Sequence, residues 1–96
     1  MAAGDAYTLA PASVADAGYM DLQPSAGVEV VVHNIYVPEN TPIEVYYYDG
    51  ADTIKHFSSA SALYNVQFHC TNSVYIRVKN VSGSAAIMAA DGMTTK

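Results

Sequence analysis

Single apolar residues alternate with polar ones through much of the second half of the chain. Tyr64, Val66, Phe68 and Cys70 are interleaved with Asn65, Gln67 and His69, and Val74, Ile76 and Val78 with Tyr75, Arg77 and Lys79. A period of two is that of a strand with one dry and one wet face. The Thr71-Asn72-Ser73 turn predicts that the two runs form one antiparallel hairpin. Its core face would join Tyr64, Val66, Phe68, Val74, Ile76 and Val78, leaving Tyr75 outward beside Arg77 and Lys79. Residues 28–37 are apolar at both parities, with Val28, Val30 and Val32 on one and Val31, Ile35 and Val37 on the other. Either the strand is buried on both faces, or a bulge near His33 and Asn34 changes which face points inward. Residues 43–48 read as a further strand, returned by the Asp49-Gly50-Ala51-Asp52 loop into residues 53–57.

The remaining pattern is weaker. Residues 18–22 form a short strand that stops at the Pro24, Ser25 and Gly27 turn cluster. Residues 85–90 form a small-residue strand with Ile87 inward, ended by Asp91-Gly92, with 93–96 as a C-terminal tail. Residues 1–12 are Ala-rich and carry Tyr7 and Leu9 as their large apolar groups, an edge strand or an extended arm. No 11-residue window holds helical apolar spacing without Gly, Pro or β-branched interruption. Seven or eight short strands in residues 13–92 predict an all-β fold, a single antiparallel β-sandwich or jelly roll, because an open sheet of that size leaves one face uncovered.

Length then limits the picture to one domain. A chain of 96 residues has a thin stability margin, which favours burial against partners. Charged residues make up 14% of it, against roughly 25% in ordinary soluble domains, and a surface short of charge and rich in Tyr suits protein contact. The net charge is −5, with Lys55, Arg77, Lys79 and Lys96 as the basic residues. Direct nucleic-acid binding, which needs clustered cations, is not expected. Neither a signal peptide nor a membrane-spanning segment is read, so the chain is expected to be made in a cytoplasm and to stay soluble. Cys70 is alone and is expected to be a buried small hydrophobe.

Candidate chemistry is sparse. His33, His56 and His69 show no metal-ligand spacing. Asp49 and Asp52 flank a turn, where Asp serves the backbone, and Glu29 and Glu44 fall on separate strands. Ser58, Ser59 and Ser61 lack a nucleophile elbow. No catalytic residue, cofactor site or metal site is expected. The tyrosines are the informative group. Tyr46, Tyr48 and Tyr75 fall at outward parity and, with Met1, Asp5, Tyr7 and Leu9 of the arm, form the candidate protein interface. Two rival readings stay open: a carbohydrate-binding module using Tyr46, Tyr48 and Tyr75 as a sugar platform, and a cupin-like enzyme that gathers the three histidines.

Residues 27–96, about three quarters of the chain, carry the stretches V-E-V-V-V-H-N-I-Y, E-V-Y-Y-Y-D-G, F-H-C-T-N-S-V-Y-I-R-V-K-N-V-S-G and D-G-M-T-T-K. In this succession of strands and turns the chain resembles small structural proteins of tailed bacteriophages, of the capsid decoration or cement type. The resemblance implies a β-sandwich or jelly roll without cofactor, a homotrimer on the capsid surface, and the major capsid protein or another shell protein as partner. Tail, fibre and head-completion proteins share the same outline. No site residue is implied by it.

Overall fold

Nothing in the described residues is helical. The computed structural model describes residues 3–96, and these form eight strands: β1 (Ala6–Val14), β2 (Tyr19–Leu22), β3 (Val30–Tyr36), β4 (Ile43–Tyr48), β5 (Thr53–Ser59), β6 (Phe68–Cys70), β7 (Tyr75–Asn80) and β8 (Ala86–Thr94). They make two four-stranded sheets, ordered β1-β8-β3-β6 and β2-β7-β4-β5. Every pairing is antiparallel. Only β4 and β5 are joined as a hairpin within one sheet; every other connection carries the chain from one sheet to the other. That wiring is a jelly roll, which folds a long antiparallel ribbon over so that both sheets hide one face from water.

The expected hairpin between residues 64–70 and 74–79 is therefore corrected. β6 pairs with β3 and β7 with β2 and β4, so the turn at Thr71 is a corner between sheets. It is closed by Thr71 N–H donating to Val74 O at 2.7 Å. Alternation shows that each strand has a dry face, and a hairpin and a corner satisfy it equally. The proposed single core face divides accordingly. Phe68 faces inward from one sheet, Ile76 and Val78 from the other, Val66 and Val74 are half-buried, and Tyr64 lies outside, 63% exposed.

The interior is built from both inner faces. Tyr7, Val14, Val30, Val32, Ile35, Cys70, Met88 and Ala90 come from the first sheet, and Met20, Leu22, Ile43, Val45, Ile76 and Val78 from the second. Cys70 is fully buried, as its parity predicts, and burial pushes its thiol up to about 11. Phe57 and Phe68, their ring centroids 6.3 Å apart, close the β5–β6 side of the sandwich.

Of the two alternatives for residues 28–37, the bulge near His33 and Asn34 is the one the structure takes. Val32 pairs with Gly92 and Asn34 with Asp91, so His33 is the extra residue. Val30 and Val32 point inward before it and Ile35 after it. Gly92 answers that crowding: a Cβ there would fall on the Val31 carbonyl oxygen and 2.7 Å from the Val32 Cα. It therefore marks close backbone approach inside a strand, and β8 continues to Thr94 instead of ending at Asp91 with a free tail. Ile87, expected inward, is 53% exposed, because Met88, Ala90 and Thr94 take the inner parity. A run of Ala gives too little contrast between faces to set the phase.

Residues 4–14 are likewise tied to the sheet. Ala6–Val14 is the edge strand alternative, paired with β8 across a bulge between Leu9 and Ala12. Gly4 N–H donates to Thr94 O and Thr94 N–H to Asp5 O, extending the pairing to the start of the strand.

The four edges are each protected against further pairing. β2 and β6 have four and three residues. β1 carries Pro11 at its bulge, and β5 skips His56 in its register with β4. Short edges, proline and bulges all hinder addition of a foreign strand.

Candidate contact surface

The outer face of the β2-β7-β4-β5 sheet is built in cross-strand rows. Tyr19, Lys79 and Glu44 make the first; Asp21, Arg77, Tyr46 and Lys55 the second; Tyr75, Tyr48 and Thr53 the third. Residues directly opposite on one face of a sheet interact most strongly, and here they alternate charge with aromatic ring.

Arg77 is the centre of the lattice. Its Nε donates to Asp21 Oδ1 at 2.7 Å. Its guanidinium carbon lies 4.2 Å from the Tyr19 ring centroid and 5.1 Å from that of Tyr48. The Asp21 partner holds the guanidinium above its ordinary value, so it stays charged. Planar guanidinium groups suit this combination of stacking and forked hydrogen bonding. Tyr19 meets Tyr46 edge to face at 5.9 Å, and Tyr48 lies 5.3 Å from Tyr75. Tyr46 donates its hydroxyl to Glu44 Oε1 at 2.7 Å, and Lys55 donates to Glu44 Oε2 at 2.9 Å. Those two bonds hold the Glu44 carboxyl below its ordinary range, and the first pushes Tyr46 up to about 12.

Of the residues expected at an interface, Tyr46, Tyr48 and Tyr75 are brought together here. Tyr46 and Tyr48 are half-buried. Tyr75 has the outward parity expected of it but is 8% exposed, because β7 is a central strand and the Tyr48 ring packs against it. The arm residues are elsewhere. Tyr7 is buried in the protein's own core, where burial raises its hydroxyl pKa, so it is no anchor for a neighbour. Leu9 packs partly buried against the same core, Asp5 is exposed beside β8, and Met1 lies outside the described residues. The sequence reading missed Tyr19 and Asp21, whose signal was their alternation with Met20 and Leu22.

The β1-β8-β3-β6 sheet carries a shallow groove of about 260 Å³ lined by Pro11, Tyr36, Pro38, Ile87, Met88 and Ala89. Beside it Asp91 accepts from Asn34 Nδ2 at 2.8 Å and from the Tyr36 hydroxyl at 2.7 Å. The Asp91 bond raises the Tyr36 pKa, which makes that hydroxyl a poorer acid at neutral pH. The histidines sit on three strands. His33 occupies the β3 bulge, His56 lies against Phe57 and Phe68, and His69 Nε2 is 3.2 Å from Glu29. Among the described residues no three His, Cys, Asp or Glu side chains form a group able to hold a metal ion.

No protein-family model matches the chain, and a search of curated proteins finds no significant relative.

Proposed function

We propose that this chain is a non-catalytic structural protein of the capsid decoration type, attached to the outer shell of a tailed phage and to further copies of itself. The observation that carries the reading is where the tyrosines are. Six of the eight reach the surface: Tyr19, Tyr36, Tyr46, Tyr47, Tyr48 and Tyr64. Tyrosine supplies large, fairly rigid contact area with a polar tip, and protein interfaces are enriched in it. The jelly roll offers two broad outer faces to neighbours, and the succession of strands and turns in the sequence supplies the choice of a phage shell.

A sugar platform has less support. Such a platform presents bare ring faces, whereas Arg77 covers the rings of Tyr19 and Tyr48. The test is mass spectrometry of density-gradient-purified phage particles from the source strain. The chain is expected at a fixed ratio to the major capsid protein, and free chain is expected to rebind particles stripped of it. Its absence from intact particles overturns the reading, and selective retention of one glycan on an array would replace it with the sugar-binding one.

A further inference from the structure

We propose that the outer face of the β1-β8-β3-β6 sheet is covered by the same face of a second copy, related by a two-fold axis that runs across the strands. The inference rests on the reading of the chain as an assembly protein and names the surface through which copies meet.

That face is nearly free of charge. Its cross-strand rows are Ala6, Met93, Val31 and His69; Thr8, Asp91 and Asn34; Ala89 and Tyr36; and Ser13 with Ile87. Asp91 is the one Asp, Glu, Lys or Arg in these rows, and both its oxygens already accept hydrogen bonds, from Asn34 and Tyr36. The outer face of the other sheet carries Asp21, Glu44, Lys55, Arg77 and Lys79. A chain of net charge −5 repels its own copies, and the uncharged face is where two of them meet with least repulsion.

The exposed area is enough for a pair. Ile87, Met93, Tyr36 and Tyr64 are 53, 49, 39 and 63% exposed, and the Tyr64 ring stands beside that of Tyr36, 6.1 Å between centroids. At about 200 Å² for a large side chain, these four put about 400 Å² of mostly apolar surface on the face, the size of patch that marks a contact site. Two copies bring about 800 Å² together, and the small side chains between carry the total to the roughly 1,000 Å² that a specific interface buries.

The face also fits itself. The groove lined by Pro11, Tyr36, Ile87 and Ala89 lies at one end, and Met93 stands exposed at the other end of the same strand. A two-fold axis across the strands exchanges the ends, so Met93 of each copy enters the groove of the other. An unbranched thioether adapts its shape to such a gap. Sheets packed face to face lie about 10 Å apart. Asp91 then faces Ala89, and the two Asp91 carboxylates stay about 12 Å from each other, beyond the screening length of about 8 Å at physiological salt. The exchange of ends also keeps Asp5 and Glu29, both at the Met93 end, away from their counterparts. A contact of one patch with itself closes at two copies.

Sedimentation velocity of the full chain across concentration tests this. A monomer–dimer equilibrium is expected, tighter in about 0.5 M salt than in about 20 mM salt, because salt screens the repulsion between acidic copies. Ile87→Lys and Met93→Glu are each expected to weaken pairing about tenfold or more. Their equimolar mixture is expected to pair more tightly than either alone, since the new amine of one meets the new carboxylate of the other while the second junction stays native. Both positions are exposed, and thermal melts within a few degrees of the parent show that the variants are folded. With Cys70 buried, a bismaleimide is expected to trap dimers of Ala89→Cys and nothing larger, and to trap none of Lys55→Cys on the other sheet. A chain monomeric at high concentration in about 0.5 M salt, a trimer or larger ring, pairing abolished by salt, or a mixture no tighter than its components would each overturn the proposal. So would a monomeric parent whose rebinding to stripped particles is lost in Ile87→Lys, which assigns the face to the shell protein. Failure to pair with the chain still present on particles removes the two-fold contact alone; pairing by a chain missing from particles removes the virion reading alone.

Discussion

Asn80 is fully buried, yet no bonding capacity of its side chain is idle. Its Nδ2 donates to Val14 O at 2.9 Å and to Ser84 O at 2.8 Å, and its Oδ1 accepts from Ser82 N–H and hydroxyl. One side chain thus ties the end of β1 to the β7–β8 loop. Asn80→Ala takes its donor from the Val14 carbonyl and one of two donors from the Ser84 carbonyl, which keeps the Ser82 hydroxyl, and roughly 1–3 kcal/mol for a buried unmet group makes it one of the more damaging polar substitutions in the domain. Urea denaturation should show a lower midpoint with the slope unchanged. The contrast between Leu22 and Tyr64 tests the core in the same way. Leu22 is fully buried and Tyr64 is 63% exposed. Leu22→Ala is expected to cost about 2–5 kcal/mol, and Tyr64→Ala under about 1 kcal/mol, although the alternation of residues 64–70 places Tyr64 in the core. Its period was legible; its depth was not, because the strand formed by that run begins only at Phe68.

Among the elements, β4 was the most legible. Its bounds match the sequence reading, and its turn is the expected one, with Asp49 Oδ1 accepting from Ala51 N–H and Asp52 N–H and Gly50 at a positive φ of 93°. The bulge in β3 was one of two alternatives legible in the change of apolar parity, and the pairing with β8 decides for it over burial on both faces. β8 was not legible, because Ala carries no phase and Gly92 reads as a turn until the neighbouring backbone is known. Within β4 the Tyr46–Glu44 bond makes a pH prediction at both ends of the scale. Glu44 titrates below its ordinary range in the fold, so its contribution is present above that range and is lost as pH falls through the depressed value. Tyr46 is raised from 10.0 to about 12, so its contribution is full below about pH 10 and is lost between there and about 12. Ultraviolet titration of the tyrosines should show Tyr46 among the late-ionising groups, with Tyr7, Tyr36 and Tyr75, and Glu44→Gln should remove one group from that set. Unchanged late ionisation in that variant would place the cause elsewhere.

At the scale of the whole molecule, seven connections link eight strands and one of them is a hairpin within a sheet. β1 pairs with β8, so the two ends of the chain must meet before the first sheet exists. Chains dominated by such distant pairings fold slowly, in roughly milliseconds to seconds. Stopped-flow refolding is expected in that range, and microsecond folding would contradict the topology. The same wiring brings Tyr19 and Asp21 of β2 to Arg77 of β7, residues more than fifty positions apart, and so creates the charged and aromatic outer face.

The sequence by itself determined that the chain is all strand, where most strands lie, and that Cys70 is buried, and it narrowed β3 to burial on both faces or a bulge near His33 and Asn34. These follow from period, parity and turn chemistry, which are properties of neighbours along the chain. Only the tertiary structure decided that residues 71–74 turn a corner between sheets, that Tyr7 belongs to the core and not to an interface, that β8 runs through Gly92, and that three basic residues share one face. Those depend on which strand lies beside which, and a period of two is silent on that: every alternating strand offers the same dry face to any partner.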